Sequence, residues 1–395
     1  MRRVAIAIGV LVVVICAVRA ISKPTDGDFK LHWGFGQSFL AGEFLYARGH
    51  HLGYPPFWAM AHAPLALLPL PIAKAVLLPL GLAALGALLL ILRRLASPSF
   101  DLTPPQVFWT AAVALILASR YVIRDIAEVG VNTSLVLLTW LAICLWRNNR
   151  EVLAATSLGG AIALKCTPML FAAFFLWKRQ WRMAALTAAA TACFTLAPVL
   201  WQGPISYTEH MRTWLANAWQ ATASGDPGEV MLGAEPVRNM SLGATLAGYL
   251  AGRPPTLRRA FIKVTLVALV GIVMWWSRRR PTNRDDPRLL WEFSAVGIVM
   301  LLVSPITWGQ HCVALLPACY FLAALFVSHR HPPRSLWVLV GIYVFLVLAL
   351  SRDLLGKDLA LRVGSYHVET FAMLALLAAV IAGRRLHTAR TSALG

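Results

Sequence analysis

Charge is what this chain has least of. Of its 395 residues, 13% are Asp, Glu, Lys or Arg and 58% are hydrophobic, about half the charged fraction of a soluble globular protein. That balance excludes a soluble domain and predicts an all-α polytopic membrane protein whose helices face lipid as much as each other. Acidic residues are the scarcest, 17 against 36 basic ones. The resulting net charge of +19 does not describe a nucleic-acid surface, because no basic stripe is interleaved with aromatics; Lys and Arg punctuate hydrophobic runs instead. Also missing are a P-loop, a dinucleotide glycine motif, a nucleophile elbow and any zinc-ligand spacing. No cofactor and no metal site is therefore expected, and no nucleic-acid partner. The six cysteines form no Cys-x-x-Cys pair and lie in or beside apolar stretches, so they read as small hydrophobic residues.

What is present is a succession of twelve hydrophobic runs, near 4–21, 64–92, 106–119, 133–146, 152–164, 167–177, 183–200, 260–277, 289–303, 309–327, 336–351 and 367–383. The first follows Met1-Arg2-Arg3 and reads as an uncleaved signal-anchor, because Ala-Val-Arg-Ala is a poor cleavage site and membrane segments continue after it. With the N-terminus in the cytoplasm, the alternate loops and the tail from Arg384 hold nineteen basic residues against five acidic ones. That bias predicts cytoplasmic termini, a 384–395 cytoplasmic tail, and two long extracytoplasmic loops at 22–63 and 201–259. Seven of the ten histidines fall on the outer side too: His32, His50, His51, His62, His210, His311 and His367. Polar chemistry is concentrated on one face. The whole of 1–395 reads as one integral-membrane unit.

Two features interrupt the apolar pattern. In the first outer loop, Asp26 and Asp28 stand at the mouth of a membrane segment, and Phe29, Trp33, Leu40 and Phe44 recur at helical spacings. This predicts an amphipathic helix at the membrane surface. Either Asp is a natural N-cap for that helix; a carboxylate held beside a hydroxyl is also a general base. The second feature is Lys165. The runs 152–164 and 167–177 reach only about 20 and 16 Å against a hydrocarbon core of about 30 Å, and they meet at Lys165-Cys166-Thr167-Pro168. Pro168 breaks a continuous helix and Lys165 is costly facing lipid. A hairpin lining a wet cavity and a single kinked helix with a snorkelling Lys165 both satisfy these constraints.

Other outer elements supply shape and donors. Tyr54-Pro55-Pro56 fixes an extended turn into the second run and places Tyr54, His50 and His51 near the acidic residues. Ser304-Pro305-Ile306-Thr307-Trp308-Gly309-Gln310-His311 forms a tight turn whose His suits a phosphate or sugar hydroxyl. Arg238 and Asn239 open another polar patch.

Taken together these pieces resemble glycosyltransferase family 87, the polyprenol-phosphate-mannose-dependent mannosyltransferases of the C superfamily. The resemblance runs over about residues 1–325. It rests on Gly27-Asp28-Phe29, Gly42, Tyr46, Tyr54-Pro55-Pro56 and Pro64/Pro69, then Gly130-Val131-Asn132 with Ser134-Leu135, Lys165 with Thr167-Pro168, Asn239-x-Ser241-Leu242, and Ser304-Pro305-x-x-Trp308-x-x-His311. Val131 and Met240 stand where the family usually has Gln, and Gln310 where it has the first of two His. The resemblance implies inverting sugar transfer, most simply of mannose, from a polyprenyl-phosphate donor to a glycolipid or polysaccharide hydroxyl on the outer face of the plasma membrane. It makes Asp28 the general base, with Asp26 a cap or supporting partner, and puts donors such as Lys165, Arg238 or His311 at the lipid phosphate; together with His51, Tyr54 and Asn239 these are the candidate substrate-binding residues. A polytopic transporter or lipid flippase, with Lys165 in a gated pathway, is the competing class; the lack of an internal repeat argues against it. A C-superfamily transferase for another sugar is the third reading.

Overall fold

The structure is a computed structural model that describes residues 14, 18, 27–47, 53–224, 239–328 and 332–394. The first hydrophobic run, Asp26, His50, His51 and Arg238 therefore lie outside the described residues, apart from Val14 and Val18 within that run.

The described chain is helical: α1 (Gly27–Leu40), α2 (Pro56–Ala66), α3 (Leu70–Ala96), α4 (Pro104–Leu117), α5 (Ser119–Ala127), α6 (Asn132–Arg147), α7 (Glu151–Leu164), α8 (Met169–Trp177), α9 (Trp181–Leu196), α10 (Val199–Gln202) and α11 (Pro204–Ser224). Beyond residue 238 follow α12 (Leu242–Tyr249), α13 (Pro255–Trp276), α14 (Arg288–Val303), a 3-10 turn (His311–Leu315) running into α15 (Leu316–Ser328), α16 (Arg334–Val344), α17 (Arg352–Gly364) and α18 (Val368–Leu394). The core is built on α14 and α15, which are largely apolar and buried on nearly every side, as expected for helices enclosed by others. Around them pack α4, α6, α8 and α18, while α7 pairs with α6 and α9.

The twelve-run expectation needs correction. Among the described residues only Leu70–Ala96, Trp181–Gln202 and His311–Ser328 are long and apolar enough to cross a membrane. Two bent pairs, Pro104–Leu117 with Ser119–Ala127 (70°) and Arg334–Ala349 with Leu354–Gly364 (109°), raise the number to five. A hydrophobic run reports removal from water but not whether lipid or protein replaces it. Helix α14 is apolar because neighbours enclose it, and α7 and α8 are short because they form the two arms of a hairpin.

The surface helix predicted from Phe29 onward exists as α1, but its apolar face differs. Phe29, Phe35 and Phe39 are buried, with His32 between them, while Phe44 lies beyond the helix. Helix α2 takes the buried face. Gly36 sits so close to it that a Cβ would stand 2.8 Å from the His62 carbonyl. Protein contact has displaced lipid as the partner of this helix.

Polar groups segregate into two layers. Ion pairs in the described residues join groups that the charge bias had put on the same side, two of them, Arg124–Glu128 and Arg288–Asp286, each within one loop. In one layer Glu292, 2% exposed, accepts from Lys178 at 2.7 Å and Arg384 at 2.6 Å. Lys178 also donates to the carbonyls of Ser277 and, at 2.7 Å, Arg279. This knot ties α8, α13, α14 and α18 together. Glu292→Gln removes the carboxylate shared by buried Lys178 and partly buried Arg384 and is expected to destabilise the protein by about 3–5 kcal/mol. Thermal unfolding in detergent should show a large drop in midpoint, whereas Arg279→Gln, on an exposed side chain of the same layer, should shift it little.

Candidate active site

The second polar layer gathers around the tip of the α7–α8 hairpin. Helix α7 stops at Leu164 and Lys165 turns extended (φ −152°, ψ 123°). Helix α8 then starts after Pro168. The far ends of both arms, Glu151 and Lys178, meet the opposite polar layer through Arg182, Arg284 and Glu292. A hairpin is thus the solution, with the cation at its tip. Lys165 Nζ donates to Asn132 Oδ1 at 3.4 Å and stands 5.5 Å from the centre of the Tyr54 ring.

Asn132 is itself fixed by a buried acid. Asp125, on α5, reaches across the α5–α6 bend and caps the start of α6. Its Oδ2 accepts from the Thr133 backbone N–H (2.9 Å) and hydroxyl (2.7 Å), and its Oδ1 accepts from Asn132 Nδ2 (2.9 Å). Such a carboxylate satisfies the donors left open at a helix start and complements the helix dipole. The bend leaves no room for a side chain at Gly130, where a Cβ would lie 2.0 Å from Asp125 Oδ1.

Asp28 opens α1, half-buried, and accepts a hydrogen bond from Gln310 Nε2. Burial pushes its carboxyl above the ordinary carboxylate range and Glu128 adds to the rise; the Gln310 bond and the charges of Lys165 and Arg124 oppose it. Burial also pulls the Lys165 ammonium down to about 8, with Asp28 and Asp125 resisting. The floor is aromatic. Tyr54 stacks on Trp58 (4.4 Å), His32 stands edge-on to both, and Trp58 Nε1 donates to His32 Nδ1 at 3.2 Å. Burial drives His62 down to about 4, so it sits neutral beneath them.

The 304–311 turn closes the site. Asn239, 2% exposed, spends its amide on backbone: Nδ2 donates to the Pro305 carbonyl (2.8 Å), and Oδ1 accepts from the N–H groups of Thr307 (2.9 Å) and Ser241 (3.1 Å). His311 stacks on Trp308, whose N–H donates to His311 Nδ1 at 3.2 Å. Lys165, His311 and Asn132 then border a cleft whose other walls include Leu135, Val136, Trp140, Phe171, Met300 and Leu301. Adjacent residues divide the work: Gln310 holds Asp28 and His311 lines the cleft. Among the described residues, no group of three or more His, Cys, Asp or Glu is placed to hold a metal.

The family model for glycosyltransferase family 87 matches residues 52–305. The chain belongs to this family. This glycosyltransferase is similar to two polyprenol-phosphate-mannose-dependent alpha-(1-2)-phosphatidylinositol mannoside mannosyltransferases. The one from Mycolicibacterium smegmatis is 29% identical over 78% of this chain and 71% of its own length. The one from Mycobacterium tuberculosis is 26% identical over 73% and 66%. Among solved structures, apo ArnT from Cupriavidus metallidurans aligns over 96% of this chain and 78% of its own, with a TM-score of 0.43 and 16% identity. The same protein bound to undecaprenyl phosphate gives 0.40 and 16%.

Of the residues singled out in the sequence, Asp28, Tyr54, Lys165 and His311 converge on this site. Asn239 is next to it but shapes the turn through backbone contacts. Asp26, His51 and Arg238 fall outside the described residues. Sequence reasoning missed Asp125, Asn132 and Gln310 as site residues. Asp125 followed seven and eight residues later by Asn132 and Thr133 was a visible capping pattern, and Gln310 was visible as a departure from the family's motif. Gly130→Ala is expected to push Asp125 off Asn132 and release Lys165. Sugar-transfer rate and melting temperature should then fall together, the latter by an amount matching about 1–3 kcal/mol for a disrupted buried hydrogen-bond set.

Proposed function

We propose that this glycosyltransferase moves mannose from a polyprenyl-phosphate donor to a glycolipid or polysaccharide hydroxyl, with inversion, on the extracytoplasmic face of the plasma membrane. One observation carries the reading. A sparsely solvated ammonium (Lys165) lines an otherwise apolar cleft, and a carboxylate (Asp28) is anchored next to it by Gln310, the chain neighbour of the cleft-lining His311. Such a cleft suits a ligand that is lipid at one end and phosphate at the other. The mannose and polyprenol named for the mycobacterial relatives support the same donor, and their phosphatidylinositol mannoside acceptor supports a glycolipid. The segregation of the Asp28 layer among loops with little net positive charge supports the outer face.

In this mechanism Asp28 takes the proton from the acceptor hydroxyl through the carboxylate oxygen that Gln310 leaves open. The acceptor oxygen forms its bond to the anomeric carbon as the bond from that carbon to the phosphate oxygen breaks. The electron pair leaves on the lipid phosphate. Lys165, steered by Asn132 and resting over Tyr54, meets the growing charge, and His311 offers a further polar contact. Preorganised donors in a water-poor site stabilise a departing anion without reorganisation. The raised basicity of Asp28 moves it toward the working pH. Asn239 acts through the turn that aims Gln310 and His311.

Asp28→Asn is expected to leave a folded protein with transfer reduced about 10²–10⁴-fold, read as product formation from radiolabelled polyprenyl-phosphate-mannose; normal turnover would remove Asp28 as base. The pH profile of kcat/KM gives a second check. Asp28 works ionised, so activity should be lost as pH falls through a value above the ordinary carboxylate range. Lys165 works charged, so activity should be lost as pH rises through about 8. Gln310→Ala removes a hydrogen bond that favours the ionised carboxylate, so the acid limb should move upward. Lys165→Arg should carry the alkaline limb upward, since guanidinium stays charged.

A further inference from the structure

A second large cavity lies at the other end of α6. That helix runs from Asn132 to Arg147, so Arg147 stands about 22 Å from Asn132. Leu90, Arg93, Arg94, Arg147, Asn148 and Asp285 line a half-open hollow there. Three guanidinium groups and a single carboxylate face it. The carboxylate is already committed, since Asp285 Oδ1 accepts from Arg147 Nε at 3.1 Å and pairs with Nη2 at 3.0 Å. Arg147 is buried and also donates from Nη1 to the Leu95 carbonyl at 3.3 Å, so it forms a fixed wall. Arg93 and Arg94 have no ion pair or side-chain hydrogen bond among the described residues.

Where these two arginines stand matters as much as their charge. They occupy the last turn of α3, the most apolar of the three candidate spans and one that is only 22% buried. The end of such a helix lies at headgroup depth. Leu90, one turn earlier on the same face, is 65% exposed, and Ile72, Val76 and Leu80 continue an outward apolar strip up the helix. Hydrocarbon thus has a wall to lie on, and that wall ends at two cations beside a half-open hollow of mixed polar and apolar lining. Basic pockets at this depth attract anionic lipid phosphates, at about 1 kcal/mol per basic residue.

We propose that this cavity binds the phosphate group of an anionic phospholipid, with the phosphate between Arg93 and Arg94 and an acyl chain along Leu90 and the strip above it. The site is distinct from the Asp28 cleft and does not rest on the sugar-transfer reading.

The test uses the full-length protein purified in detergent, with native mass spectrometry and thermal unfolding after addition of phosphatidylglycerol, phosphatidylcholine or inorganic phosphate. The wild type is expected to retain phosphatidylglycerol over phosphatidylcholine and to be stabilised by it. The exposed pair R93Q/R94Q should weaken that retention about ten- to thirty-fold, while R279Q/R280Q, removing the same charge elsewhere in this layer, should not. Equal retention of the two lipids by the wild type would overturn the proposal. So would equal losses in both double variants, which would mean bulk charge attraction. Stabilisation by inorganic phosphate alone would mean a free-anion site and would overturn the lipid assignment.

Discussion

An ammonium placed among apolar residues must be compensated from nearby, and the Asp28 layer is organised around that demand at Lys165. The hairpin tip delivers the cation, Asp125 holds the Asn132 that meets it, and Asp125 reaches Asn132 across the α5–α6 bend at Gly130. Asp28 is the second anion in reach of the same charge. Removing water strengthens each of these interactions, and it also raises the cost of leaving any one unmet.

The same rule shapes the opposite layer. Glu292 compensates Lys178 and Arg384, Glu151 compensates Arg182 and Arg284, and Asp285 compensates Arg147. With few acidic residues in the chain, three of the five in this layer are used as struts between separate elements. Arginines left without such partners, as at the end of α3, are available to groups from outside the protein. Scarcity of carboxylates therefore makes both the rigidity of one layer and the open charge at its edge.

Much of this arrangement was legible in the amino-acid order. The low charge fraction gave away a membrane protein, the charge bias separated two sets of loops that the ion pairs keep apart, and Asp28, Lys165, Tyr54 and His311 stood out as costly or stiff residues in otherwise apolar surroundings. Helix α1 was readable too, although Phe35 and Phe39, rather than Trp33 and Phe44, turned out to be its buried residues. The number of crossing helices was not readable, because an apolar stretch looks the same whether lipid or α14's neighbours surround it.

Local chemistry along the chain determines which residues are expensive to bury, and for that the sequence suffices: an acid beside a membrane segment or a lysine before a proline declares itself. Which costly residues share a site depends on contacts between positions far apart, and only the tertiary structure decided those. Gln310 lies 282 residues from Asp28, and Asn239 could be ligand or strut until its amide was seen occupied by the 304–311 turn. Hydrogen bonds act over about 3 Å, a distance that sequence separation does not encode.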